Sequence, residues 1–139
     1  MRSNAAPEMV APVARSVDRL VGRLSRGAVR DLTHEEMTGL VVELRRLQAR
    51  LEATVLEVVG EVDARGSYVH DGSLTASGWL RMHTRATPAE ASASVRTAKV
   101  LRSNALPETR NALSAGEISP RHAQVIALAV EGAPPGPAD

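Results

Sequence analysis

The side chains of this chain that could do chemistry are its arginines, its carboxylates and four histidines, and their spacing decides which chemistry is open to them. His34-Glu35-Glu36-Met37-Thr38 begins like the helical motif of zinc proteases. That site needs two imidazoles one turn apart to hold the ion, and Thr38 stands where the second must be. The histidines at 34, 70, 83 and 122 fall in separate segments, with no pair at ligand spacing. Cys is absent, which removes thiolate nucleophiles, disulfides and Cys-based zinc sites together. Neither a phosphate-binding glycine loop nor a Gly-x-Ser-x-Gly nucleophile turn occurs. Glu36, Glu43 and Glu57 recur at heptad intervals, as solvated or paired helix charges do. The expectation is no catalytic centre, no metal site, no cofactor and no small-molecule substrate.

The basic side chains carry more information. Net charge is +1, from 17 basic and 16 acidic residues, but the charge is unevenly spread. Residues 74–130 hold seven basic groups against three acids, whereas residues 34–73 hold four against eight. The pI of 8.4 lies below the value of about 9 usual for domains that grip nucleic acid, so a DNA-binding role must rest on a local patch. Arg15, Arg19, Arg23, Arg26 and Arg30 are spaced so that one helix would carry all five on a stripe. Such a stripe suits either a row of phosphates or the Glu stripe of a neighbouring helix, where exposed pairs stabilise by only about 0–1 kcal/mol each. Further along, Ser92, Arg96, Lys99 and Ser103 share a second polar stripe, with Arg81 and Arg85 just before it. Arg81, Arg85, Arg96, Lys99 and Arg102 are the predicted phosphate contacts, and loss of Arg96 and Lys99 should flatten the salt dependence of binding by nearly two contacts. Trp79 and Tyr68 are the only aromatics, too few for a single-strand stacking platform.

The elements that must position these groups read as helices. Residues 1–12, with Pro7 and Pro12, are expected to be a flexible tail. From Val13, apolar residues at Val17, Leu20, Val21 and Leu24 predict a first helix. Thr33-His34-Glu35-Glu36 has the form of a capping box. It opens a helix of about 30 residues, roughly 45 Å long, along which Met37, Leu40, Leu44, Leu47, Leu51, Val55, Val58 and Val62 keep one apolar stripe. Gly66 is its natural stop, and Asp71-Gly72 marks a tight turn. Short helices follow: one holding Leu74, Trp79, Leu80 and Met82 and capped by Ser73 or Thr75, with Trp79 as the core anchor; one opened by Thr87-Pro88-Ala89-Glu90; one from Pro107 to Gly116; and one from Ser119-Pro120 to Val130. A helix, the short break 83–86 and a second capped helix form the layout of a helix-turn-helix. Residues 131–139 read as a Pro-rich linker, which suggests a further domain. No apolar run reaches the roughly 20 residues of a membrane span, and the expected location is cytoplasmic.

The run Thr75-Ala-Ser-Gly-Trp79-Leu80, then Thr87-Pro-Ala-Glu90-Ala91, Val95-Arg96-Thr-Ala98, Leu106-Pro107-Glu-Thr109 and Leu113-Ser-Ala-Gly116-Glu-Ile118-Ser119-Pro-Arg-His122-Ala123, resembles the actinobacterial 13E12 repeat family. The likeness is to its N-terminal domain of unknown function, commonly followed by an HNH endonuclease domain, and spans roughly residues 13–130. It implies a helical module tied to mobile or repeated DNA. This chain has no His-Asn-His arrangement, so no nuclease residue can be carried over. Gly116-Glu-Ile118-Ser119-x-x-His122-Ala123 also resembles a turn and helix of partition-type DNA-binding proteins.

The sequence therefore predicts an all-α chain: a helical hairpin over 13–66 built on the long helix, and a lobe of about four short helices over 67–130 with helix-turn-helix character. Its expected role is a non-catalytic module for double-stranded DNA. The alternatives are a structural module that forms a homodimer along the long helix through Leu40, Leu44, Leu47 and Leu51, or a truncated repeat copy without a role of its own. That register drifts at Thr54, which favours an intramolecular hairpin.

Overall fold

A computed structural model describes residues 6–25 and 27–132. Among them the chain forms helices α1 (Ala6–Leu24), α2 (His34–Arg65), α3 (Ala76–His83), α4 (Pro88–Arg102), α5 (Pro107–Ser114) and α6 (Pro120–Glu131), with short 3-10 helices at Ala28–Asp31 and Ser67–Asp71 and no strand. The all-α expectation holds. None of these helices is long and apolar enough to cross a membrane. Two compact units divide the chain, Met1–Val41 and Val42–Asp139. The division falls within α2 rather than at the turn 66–73, because the second half of α2 supplies Ala49, Ala53, Leu56 and Val59 to the core of the short helices.

In the first unit α1 begins at Ala6, ahead of the expected start at Val13. Pro7 is harmless in a first turn, where its missing N–H has no intrahelical partner, and Pro12 lies inside the helix. The five-arginine stripe is not one stripe. α1 ends at Leu24, Gly27 turns the backbone at φ 86°, and Arg30 belongs to the following 3-10 helix. Arg15, Arg19 and Arg23 remain on α1, while Arg26 lies outside the described residues. The capping box before α2 is complete: Glu36 N–H donates to Thr33 Oγ1 at 3.1 Å and Thr33 N–H to Glu36 Oε1 at 3.0 Å. These bonds hold the Glu36 carboxyl below its ordinary range, the Thr33 backbone N–H first.

In the second unit α4 is the centre, packed against α3, α5 and α6. The core it shares with α2 is built of small side chains, with Ala49, Ala53, Ala98 and Ala123 beside Leu56, Val95, Leu101 and Leu113. Small residues let helix axes approach closely; a Cβ added at Gly60 of α2 would lie 3.6 Å from that of Ala98. The apolar stripe read from the sequence is not the buried face of α2. Leu47, Leu51, Val55 and Val58 are each about half exposed, while the buried residues are Ala49, Ala53, Leu56, Val59 and Gly60, three of them small. Both faces repeat every three or four residues, and close packing favours the one that lets α4 come near.

Ends and turns follow local chemistry. Thr75, not Ser73, caps α3, its Oγ1 accepting from Gly78 N–H at 2.9 Å, and Leu74 just before it is 91% exposed. Gly66 closes α2 at φ 65°. α5 ends in a Schellman turn: Gly116 N–H donates to Leu113 O at 3.0 Å and Glu117 N–H to Ala112 O at 2.8 Å. Ahead of α4, Thr87 and Glu90 form a reciprocal capping box at 2.9 and 3.1 Å, with Pro88 at the first helical position. Thr87→Ala removes one half of it and should lower stability by about 1 kcal/mol, read as a lower urea midpoint with an unchanged m-value.

Candidate nucleic-acid interface

α3, the connection 84–87 and α4 are the parts that the basic residues predict as an interface. α3 ends because Thr84 is extended and turns its hydroxyl onto Leu80 O at 2.7 Å. α4 starts at its capping box. α3 and α4 pack on one another, and the inner side of α4 is committed to the core through Ala91, Val95, Ala98 and Leu101. Its outer side therefore carries Ser92, Arg96, Lys99 and Arg102, all exposed.

Three of the five predicted phosphate contacts hold carboxylates. Arg96 donates through Nε to Glu131 Oε1 at 2.8 Å, with its terminal nitrogen 2.7 Å from the same oxygen. That bond raises the affinity of the guanidinium for its proton. Lys99 Nζ lies 3.6 Å from Asp63 Oδ2. Arg102 bonds Glu61, which also accepts from Arg65 Nε at 2.6 Å. Arg102 first, and Arg65 second, holds the Glu61 carboxyl below its usual range. α4 is thus flanked by acids from α2 on one side and from the end of α6 on the other, and its stripe is close to neutral. Spacing along α4 could not reveal partners 35 and 41 residues away.

Arg81 and Arg85 differ. Both are exposed, and among the described residues neither has a carboxylate partner. They stand at the end of α3 and in the connection, beside a cluster that sequence reasoning missed. Trp79 is not the core anchor it was expected to be. It is half-buried, its indole N–H donates to Asp71 Oδ2 at 3.0 Å, and the same oxygen lies 2.9 Å from His83 Nε2. The Trp79 and His83 rings are 5.6 Å apart. An indole buries an apolar body but keeps a donor that needs an acceptor, and Asp71 supplies one at the rim. The Asp71-Gly72 turn and the eight-residue step to Trp79 were the available signals.

Elsewhere, Ser119 Oγ accepts from His122 N–H at 3.0 Å, which caps α6. Within the first unit Arg15, Arg19 and Arg23 are exposed and have no carboxylate partner among the described residues. No group of three His, Asp or Glu side chains among the described residues is placed to hold a metal ion.

Compared with known proteins, the chain matches the model of one family, described as Domain of unknown function (DUF222), over residues 38–136. No curated protein and no solved structure matches it.

Proposed function

We propose that this chain, which belongs to the DUF222 family, is a non-catalytic module for double-stranded DNA in which α3, the connection 84–87 and α4 act as a helix-turn-helix. The observation that carries this reading is the placement of Arg81 and Arg85, exposed and, among the described residues, without carboxylate partners at the junction of two capped, mutually packed helices. The resemblance to the 13E12 family implies a parent protein in which an HNH endonuclease domain supplies the chemistry and this module the grip on DNA.

The ion pairs on α4 divide the labour among the basic residues. Arg96, Lys99 and Arg102 meet a phosphate only by giving up a carboxylate, so each exchange adds little net charge neutralisation. Arg81 and Arg85 have no such exchange to make. Each free cation that neutralises a phosphate steepens the plot of log K against log salt by about 0.9. The double substitution Arg81→Ala/Arg85→Ala should therefore flatten that slope by nearly 2 in fluorescence anisotropy with unrelated duplexes, and Arg96→Ala/Lys99→Ala by clearly less. Absence of binding at low salt, or an unchanged slope in the first variant, rejects the reading. Arg15, Arg19 and Arg23 of the first unit are a second basic stripe of the same kind.

A further inference from the structure

The exposed apolar face of α2 has a register of its own. Val41, Gln48, Val55 and Val62 follow one another at intervals of seven, and so do Met37, Leu44, Leu51 and Val58. Together they alternate by three and four over Met37–Val62, about 39 Å of helix, as the a and d positions of a heptad repeat do. The neighbouring register through Leu40 and Leu47 fails at Thr54; this one does not. Met37, Val41, Leu51, Val55 and Val58 are 41–59% exposed, and Gln48 is exposed as well. The opposite side of the helix is occupied by the core of the second unit.

Charge beside this seam points to its occupant. Glu52 is half-buried in a groove that Pro120 and Arg121 also line, and burial pushes its carboxyl up from the ordinary range. Among the described residues it has neither a salt bridge nor a hydrogen bond. One heptad earlier, Arg45 bonds only the neutral Gln48, at 3.1 Å. We propose that α2 pairs with α2 of a second copy of this chain, antiparallel, about a two-fold axis level with residues 49 and 50. That axis sets Val41 opposite Val58 of the other copy, Leu44 opposite Val55, Gln48 opposite Leu51 and Met37 opposite Val62. The same axis brings Arg45 beside Glu52 of the other copy, twice by symmetry, and gives the orphaned carboxylate its cation. A parallel pair places Arg45 and Glu52 against Leu40 and Leu47, with no charge partner, and flanking charges set orientation in paired helices. The exposed apolar surface amounts to on the order of 500 Å² per copy, about 1,000 Å² in the pair, the lower end of what a specific interface buries.

The test uses the full 139-residue chain and no DNA, so it stands apart from the nucleic-acid reading. Sedimentation should show a concentration-dependent dimer. Leu51→Glu, at a position 52% exposed, should raise the dimer dissociation constant about a hundredfold with circular dichroism unchanged. Arg45→Glu should weaken the dimer about tenfold, and Arg45→Glu/Glu52→Arg should restore it. Because the chain has no Cys, Val41→Cys/Val58→Cys gives a direct reading of orientation. These positions are about 26 Å apart along one helix, beyond the roughly 7 Å a disulfide spans. Oxidation must therefore join two copies, and the single variant Val41→Cys must stay unlinked. A monomer at every concentration overturns the proposal. So does cross-linking by Val41→Cys alone, or a dimer that tolerates Leu51→Glu.

Discussion

Leu113→Ala should destabilise the chain by an amount in the upper part of the roughly 2–5 kcal/mol range for buried leucine truncations. Leu113 is 1% exposed and is the largest side chain so fully buried among the described residues. It sits on an eight-residue helix, too short to hold itself without packing. The cost of a truncation depends on how far the surroundings collapse into the space left behind. Here the core neighbours include Ala49, Ala53, Ala98 and Ala123, whose methyl groups have no rotamers with which to reach inward. Urea denaturation should show a much lower midpoint, with loss of α5 helicity at low denaturant if that helix detaches first. A change under about 1 kcal/mol would mean that α5 does not seal the core.

Gly116→Ala should cost at least about 2 kcal/mol, for two separable reasons. At φ +75° an L side chain is strained, and a Cβ there would stand 2.8 Å from the backbone oxygen of Arg46, which cannot swing away as a side-chain tip can. Gly72 supplies the control. It has φ +81° but nothing within 4 Å of its would-be Cβ, so Gly72→Ala should carry only the conformational part, about 1 kcal/mol. The difference between the two midpoints measures how tightly the α5–α6 turn is pressed onto α2. Equal losses would show that α2 yields at Arg46.

Local chemistry is what made much of the fold legible. Thr33 with Glu36 and Thr87 with Glu90 announce helix starts by themselves, and Gly66 and Gly116 announce stops, because each motif satisfies its bonds within a few residues. The start of α1 was harder, since Pro7 and Pro12 read as interruptions although α1 contains both. Which face of α2 is buried was not readable either. The large residues outweigh Ala49, Ala53 and Gly60 in any hydrophobic pattern, yet it is the small ones that permit close approach. The candidate interface was half readable: periodicity put Ser92, Arg96, Lys99 and Ser103 on one side of α4, but the acidic partners of Arg96, Lys99 and Arg102 come from helices remote in sequence. Arg81 and Arg85 keep their predicted exposure because they lie where the chain turns.

The position of Trp79 bears on how unfolding of this protein can be watched. With one Trp and one Tyr in the chain, intrinsic emission reports almost entirely on an indole at the rim, bonded to Asp71 and beside His83. The aliphatic centre around Leu113 contributes to this emission only through Tyr68, which packs against it. Fluorescence and far-ultraviolet dichroism will trace the same curve only if the rim and the centre unfold together, so comparing the two probes tests whether the second unit is a single cooperative body.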